Sequence, residues 1–182
     1  MNRRRQSGFT LIELAIVMGA STMIAAGLIG MFQAHVQVMN QALKYKFLAQ
    51  DAPFIGLLLT KTIGNAEDYR IYASGSDARS SNGTPVSTGP AVRLWMRQPN
   101  SSFRQAVVSY ETVNGHSGIY FFLADSTGTF SGTPNWQIAG GQLAAKTSDG
   151  TAITGFDASS GVLLATLVGS YNDWYKFAAE KK

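Results

Sequence analysis

The stretch Arg3-Arg4-Arg5-Gln6-Ser7-Gly8-Phe9-Thr10-Leu11-Ile12-Glu13, running into the uncharged segment Leu14–Phe32, decides the reading of this chain. From Phe9 to Ala34 there are 26 residues and one ionisable side chain, Glu13. A helix of about 20 apolar residues spans a bilayer. The three arginines in front of it stay on the cytoplasmic side, which sends the C-terminal part across the membrane. A secretory signal peptide also starts with basic residues, but its apolar core runs only about 7–15 residues. A plain signal anchor fits the length. Neither explains a carboxylate in the run, where a charge costs at least ~2.5 kcal/mol near the helix centre. An ionisable residue in such a segment is a functional candidate whose partner has to be found.

Composition narrows the classes. The chain has 182 residues, enough for one domain with an appendage. Charged residues make up 14% and apolar residues 45%, which excludes a disordered chain as the main reading. No cysteine is present, so disulfides, thiolate metal sites and a cysteine nucleophile are excluded. The only histidines are His35 and His116. The net charge of +4 is misleading, because removing residues 1–8 leaves 12 basic and 11 acidic side chains. The remainder has no bulk charge that points to nucleic acid.

The run Gly8-Phe9-Thr10-Leu11-Ile12-Glu13 closely resembles the class III signal of type IV pilins and pseudopilins. The basic leader, the Gly, the Phe, the hydrophobic pair, the Glu and the apolar run all agree with it. The resemblance implies cleavage by prepilin peptidase between Gly8 and Phe9 and N-methylation of Phe9. It also implies that Glu13, at the fifth mature position, pairs with the N-terminal amine of a neighbouring subunit. A carboxylate and an ammonium attract strongly in a low-dielectric setting, and each is costly alone. The implied partners are other pilin or pseudopilin subunits, prepilin peptidase and an inner-membrane assembly platform. The implied location is the bacterial inner membrane, single-pass, with a periplasmic head. The implied domains are a leader over 1–8, a membrane or filament-core helix over 9–34, its periplasmic half over 35–64 and a β-rich head over 65–182.

The pattern downstream agrees. Val36, Met39, Leu43, Phe47 and Leu48 keep one helix face apolar. Pro53 is expected to kink or interrupt the helix, an apolar face resumes from Phe54 to Ile63, and Gly64-Asn65 is a stop. A helix from Phe9 to Gly64 would be ~80 Å long. Ala26 with Gly30, and Gly30 with Ala34, give small-residue spacing suited to helix packing. Ser74–Pro90 reads as a long loop. Ala91–Gln98 alternates Val92, Leu94 and Met96 against Arg93, Trp95 and Arg97, as a strand with one solvent-facing side. Gln105–Val113 and Gly118–Ala124 form a hairpin around Asn114-Gly115. Asp125–Asn135 reads as a loop and Trp136–Ile138 as a short strand. Ala152–Asp157 and Val162–Val168 pair around Ala158–Gly161. Tyr171–Lys182 is expected to be a short helix with Trp174 and Phe177 inward. The fold class is α+β: a long N-terminal helix followed by an antiparallel sheet, the pilin-like plan.

Catalytic chemistry has no constellation to stand on, and no cofactor is implied. Gly115-His116-Ser117-Gly118 lacks the last glycine of a nucleophile turn, since Ile119 stands there, and reads as a hairpin loop. Asp149, Asp157 and Asp173 do not have calcium-loop spacing, so no metal site is assigned. Arg93, Arg97 and Arg104 with Trp95 form a candidate basic patch, but a solvent-facing strand is the simpler reading, and nucleic-acid binding is not expected. Strand pattern resembles J-type minor pseudopilins of type II secretion and W-type minor pilins, and the absence of cysteine leans toward a pseudopilin. The function expected is therefore structural, that of a minor pseudopilin. The alternative is a type IV pilus minor pilin with an adhesion or DNA-uptake role.

Overall fold

The computed structural model describes residues 10–179. The chain divides between Ala42 and Leu43 into two compact units. The first is built on helix α1 (Leu11–Lys46), in which no side chain is buried. Its hydroxyls are satisfied within the helix. Ser21 Oγ donates to the Val17 carbonyl at 2.7 Å and Thr22 Oγ1 to the Gly19 carbonyl at 2.8 Å. A polar group inside an apolar segment has to be closed off in this way.

Pro53 does not end the helical run. A π-helical turn (Phe47–Asp51) precedes α2 (Ala52–Gly64), and Pro53 sits in the first turn of α2. A proline ring collides with the carbonyl four residues back, here that of Ala49. The wider π turn contains Ala49 and lets the helix continue. Asn65 caps α2, as the Gly64-Asn65 stop predicts.

The second unit holds two antiparallel sheets. The first has the order β2-β1-β4-β5-β6-β7, from strands β1 (Ala66–Tyr72), β2 (Pro85–Val86), β4 (Ala91–Arg97), β5 (Phe103–Val113), β6 (His116–Leu123) and β7 (Trp136–Ala139). The second runs β11-β10-β9-β3, from β3 (Thr88–Gly89), β9 (Gly155–Asp157), β10 (Leu164–Gly169) and β11 (Trp174–Ala178). Strand β8 (Leu143–Ala144) pairs with β10. The β5–β6 hairpin turns at Asn114 and Gly115, both at positive φ (51° and 80°), as a two-residue hairpin turn requires. The architecture is α+β and pilin-like, a long N-terminal helix followed by antiparallel sheets.

The main core lies under α2. Its inward residues Ala52, Ile55, Leu59 and Ile63 pack with Val92, Leu94, Ala106, Val108, Ile119 and Phe121 of the first sheet, and with Phe156, Ala165 and Leu167 of the second. A smaller core lies on the opposite face of the first sheet, where Tyr72, Ala78, Ala91, Val107, Tyr120 and Phe122 come together. The short helix α3 (Gly75–Arg79) contributes Ala78 to it.

Several expectations are corrected. Ser74–Pro90 is not one open loop, since it holds α3, β2 and β3. Ser74 starts α3 by accepting the Asp77 N–H on its side chain at 3.0 Å. The tail is strand β11 rather than a helix, because it completes the second sheet against β10. Phe177 packs on the core as expected, but Trp174 is exposed. Strand pairing turns alternate side chains outward, and it overrides a helical spacing. Strand β4 has no solvent face along its first four residues. The smaller core covers the side assigned to solvent.

Candidate functional site

Thr10 and Glu13 build the N-terminal turn of α1. Thr10 stands outside the helix as its cap. Its N–H and its hydroxyl both donate to Glu13 Oε2 at 2.9 Å. In return the Glu13 N–H donates to Thr10 Oγ1 at 3.3 Å. Thr-x-x-Glu is the capping-box pattern, in which cap and third residue satisfy each other's free donors. The run Thr10-Leu11-Ile12-Glu13 carries that signal in addition to the class III one. Glu13 is thus held at the end of the helix, where the dipole favours a negative charge. Glu13 Oε1 makes no hydrogen bond among the described residues. Gly8 and Phe9, the expected cleavage and methylation positions, lie outside the described residues.

Behind this turn, Leu11, Ile12, Ile16, Met23, Ile24, Leu28 and Phe32 are all exposed. The helical run Leu11–Gly64 is long and apolar enough to cross a membrane. A family model, the prokaryotic N-terminal methylation motif, matches residues 3–29. The chain carries a type IV pilin-like N-terminus. The match supports a pilin or pseudopilin that prepilin peptidase processes and that an N-terminal helix anchors to the membrane. No curated protein and no solved structure matches the chain.

The remaining candidates separate. Arg93 and Arg104 do not share a patch. The register pairs Arg104 with Met96 and Arg93 with Val107, and neighbouring residues of a strand face opposite sides. Arg93 is buried in the smaller core (8% exposed), where it donates to the carbonyls of Ala78 and Ser80. Arg97 is paired with Glu67 at 2.5 Å. Arg104 Nε donates to the Ala124 carbonyl at 3.0 Å.

The three aspartates also differ. Asp149 accepts the Thr151 N–H and hydroxyl. Asp157 accepts the Ser159 N–H and the Thr88 hydroxyl. Asp173 is buried, and neither carboxylate oxygen has a hydrogen-bond partner among the described residues. Among the described residues no group of three or more His, Cys, Asp or Glu could hold a metal ion. His35 is exposed on α1, and His116 opens β6 with its carbonyl accepting the Tyr120 hydroxyl at 2.7 Å.

One ion pair has no counterpart among the sequence expectations. Arg79 Nη1 meets Glu111 Oε1 at 2.7 Å, Arg79 Nη2 meets Oε2 at 3.2 Å, and the Ser109 hydroxyl donates to Oε1 at 3.0 Å. The partners are 32 residues apart, so no local pattern announces them.

Proposed function

We propose that this chain is a minor pseudopilin of a type II secretion pseudopilus or a related type IV filament. The leader is cut between Gly8 and Phe9, and Phe9 is methylated. The subunit then enters the filament through its N-terminal helix, with Glu13 accepting the amine of a neighbouring subunit. Residues 9–34 form the membrane or filament-core segment, 35–64 the periplasmic half of the helix and 65–182 the head.

The observation that carries this reading is the single carboxylate of the apolar run. Glu13 sits at the helix end with Oε1 unused by the described residues. A carboxylate has room for more donors than the two Thr10 supplies. An ammonium arriving beside it in a low-dielectric setting gains far more than it would in water. Exposed apolar side chains continue on α2 at Phe54, Leu57 and Leu58, which supports burial against neighbouring subunits. Contacts of this kind, repeated head to tail, produce helical filaments. Association is the function on this reading, and catalysis has no part in it.

The test is intact-mass and N-terminal sequencing of the chain coexpressed with a prepilin peptidase, followed by filament incorporation of Glu13→Ala. The expected chain starts at N-methylated Phe9, and Glu13→Ala is inserted and cut but joins filaments poorly. A retained leader, a cut beyond the apolar run, or normal incorporation of Glu13→Ala would overturn the proposal. Deleting the gene then separates the machines: loss of secreted protein marks a pseudopilus, and loss of surface pili marks a minor pilin.

A further inference from the structure

The smaller core opens on a cleft of about 540 Å³, a volume that suits a small ligand. Its floor is Arg93 and Gln105. These stand on the same face of β4 and β5, because the register pairs Trp95 with Gln105 and Arg93 with Val107. One wall is Arg79 at the end of α3, and the other is Thr127, Thr129 and Phe130.

The charge in this cleft is unbalanced. Arg79 is neutralised by Glu111 at 2.7 Å. Arg93 has no carboxylate within ion-pair distance among the described residues. Carbonyls of Ala78 and Ser80 take its Nε and Nη2, and the rings of Tyr72 and Phe130 lie 5.2 and 5.7 Å from its guanidinium carbon. Its Nη1 makes no hydrogen bond among the described residues. A buried cation without a counter-ion is costly, and a bound anion would offset that cost. The Gln105 side-chain amide also makes no hydrogen bond among the described residues, although it lines the cleft.

The wall is built rather than loose. Asp125 Oδ1 accepts the Thr127 N–H at 2.8 Å, the Thr127 hydroxyl at 2.6 Å and the Thr129 N–H at 2.9 Å. Those bonds turn the Asp125 carboxylate onto its own loop and fix both threonines. The cleft therefore offers one unneutralised guanidinium, one free amide, two positioned hydroxyls and an aromatic face. The remaining Nη1 of Arg93 can give a carboxylate oxygen a charge-assisted hydrogen bond. A single positive charge suits a monoanion better than a phosphate dianion. The amide, hydroxyls and ring suit a ligand that carries hydroxyl groups beside its carboxylate.

We propose that the Arg93–Gln105 cleft binds a sugar acid, with Arg93 Nη1 on the carboxylate and Gln105, Thr127 and Thr129 on the hydroxyls. The proposal is independent of filament assembly, since none of these residues belongs to α1 or α2.

The test is calorimetric titration of the full chain in detergent micelles with sodium D-galacturonate. D-galactose serves as the neutral analogue, inorganic phosphate as the dianion and polygalacturonate as the polymer. Galacturonate is expected to bind saturably, with galactose and phosphate weaker by at least about tenfold. Arg93→Lys should lose binding. Because Arg93 also holds the end of α3, Gln105→Met is the second variant. It keeps the side-chain volume, removes an amide that supports nothing in the fold, and should weaken galacturonate about tenfold with circular dichroism unchanged. Tighter binding per sugar by the polymer assigns the ligand to a polysaccharide, and equal binding per sugar assigns it to the free sugar acid. No saturable binding of galacturonate, equal binding of galactose, tighter binding of phosphate, or an unaffected folded Gln105→Met would each overturn the proposal.

Discussion

Glu13 is capped by the residue it caps: Thr10 gives its carboxylate two donors at 2.9 Å, and its own N–H returns to the Thr10 hydroxyl at 3.3 Å. In the isolated subunit this exchange holds the one charge of the apolar run at the helix end. Replacing a Thr cap by a residue without the hydroxyl costs about 1 kcal/mol. Thr10→Val is therefore expected to speed hydrogen exchange at the first amides of α1 about fivefold, read in detergent micelles, with the head unaffected. Unchanged exchange would mean that the capping box is not formed in the membrane-mimetic state.

The Arg79–Glu111 pair closes around a glycine. A Cβ at Gly75 would lie 2.6 Å from Glu111 Oε2. Gly75→Ala is therefore expected to push Glu111 off Arg79 and destabilise the head. Glu111→Ala should cost about 2 kcal/mol in chemical denaturation, because a half-buried guanidinium loses its partner. In the double variant the two costs should add to less than their sum, since Ala at 111 leaves room for the new methyl. Full additivity would show that the glycine is needed for another reason.

The two sheets meet through bare backbone. A Cβ at Gly89 of the second sheet would collide with the Tyr72 carbonyl oxygen of the first, and within the second sheet one at Gly155 would fall 2.7 Å from the Gly89 carbonyl oxygen. Backbone cannot move aside as a side chain can. Gly89→Ala should destabilise the head by more than about 3 kcal/mol, at the severe end for one substitution. Gly132→Ala, which meets nothing within 4 Å, is the control and should be near neutral in the same thermal melt.

Leu59 is fully buried under both sheets. Leu59→Ala should cost about 2–5 kcal/mol by denaturation, while Leu57→Ala on the exposed face of the same helix should cost under about 0.5 kcal/mol in the monomer. If that exposed face packs in a filament, Leu57→Ala will instead lower incorporation. The contrast separates a folding role from an assembly role on one helix.

Three loop carboxylates are expected to make part of the head's stability sensitive to acid. Asp125 is held below the usual carboxylate range, first by the Thr127 hydroxyl and then by the Thr129 N–H. Asp149 is lowered by the Thr147 hydroxyl and then by Thr151, and Asp157 by the Ser159 side chain and N–H. Each folded-state value lies below the unfolded one of about 3.9. Their stabilisation is thus complete well above that pH and is lost as pH falls through the folded values. Changing all three to Asn should flatten the pH dependence of stability below about pH 4 while leaving its slope near neutrality unchanged. An unchanged acid limb would show that these loops do not couple to unfolding.

The signals legible in the sequence are local. The class III run at Gly8–Glu13, the apolar span behind it, the helix stop at Gly64-Asn65 and the Asn114-Gly115 hairpin each rest on neighbours in the chain. Periodicity and turn chemistry report such features directly. The Thr10–Glu13 capping box is legible by the same logic. The clean alternation of strand β4 suggests one wet face, yet Val107-Val108 and Tyr120-Phe121-Phe122 carry the two-sided apolar run that marks strands covered on both faces. Aromatic spacing in the tail suggests a helix, but pairing with β10 decides for a strand.

By itself, then, the sequence determined a helix long and apolar enough to span a membrane, the position of its lone carboxylate and the order of a helix followed by antiparallel strands. Those follow from short-range sterics, hydrogen bonding and the period of apolar residues. Only the tertiary structure decided that Arg93 is buried and separated from Arg104, that Arg79 meets Glu111, and that Gly89 and Gly155 lie against backbone. These relationships join residues far apart in the chain. Which face of a strand is covered, and which charge lacks a counter-ion, depends on what the rest of the chain packs against it.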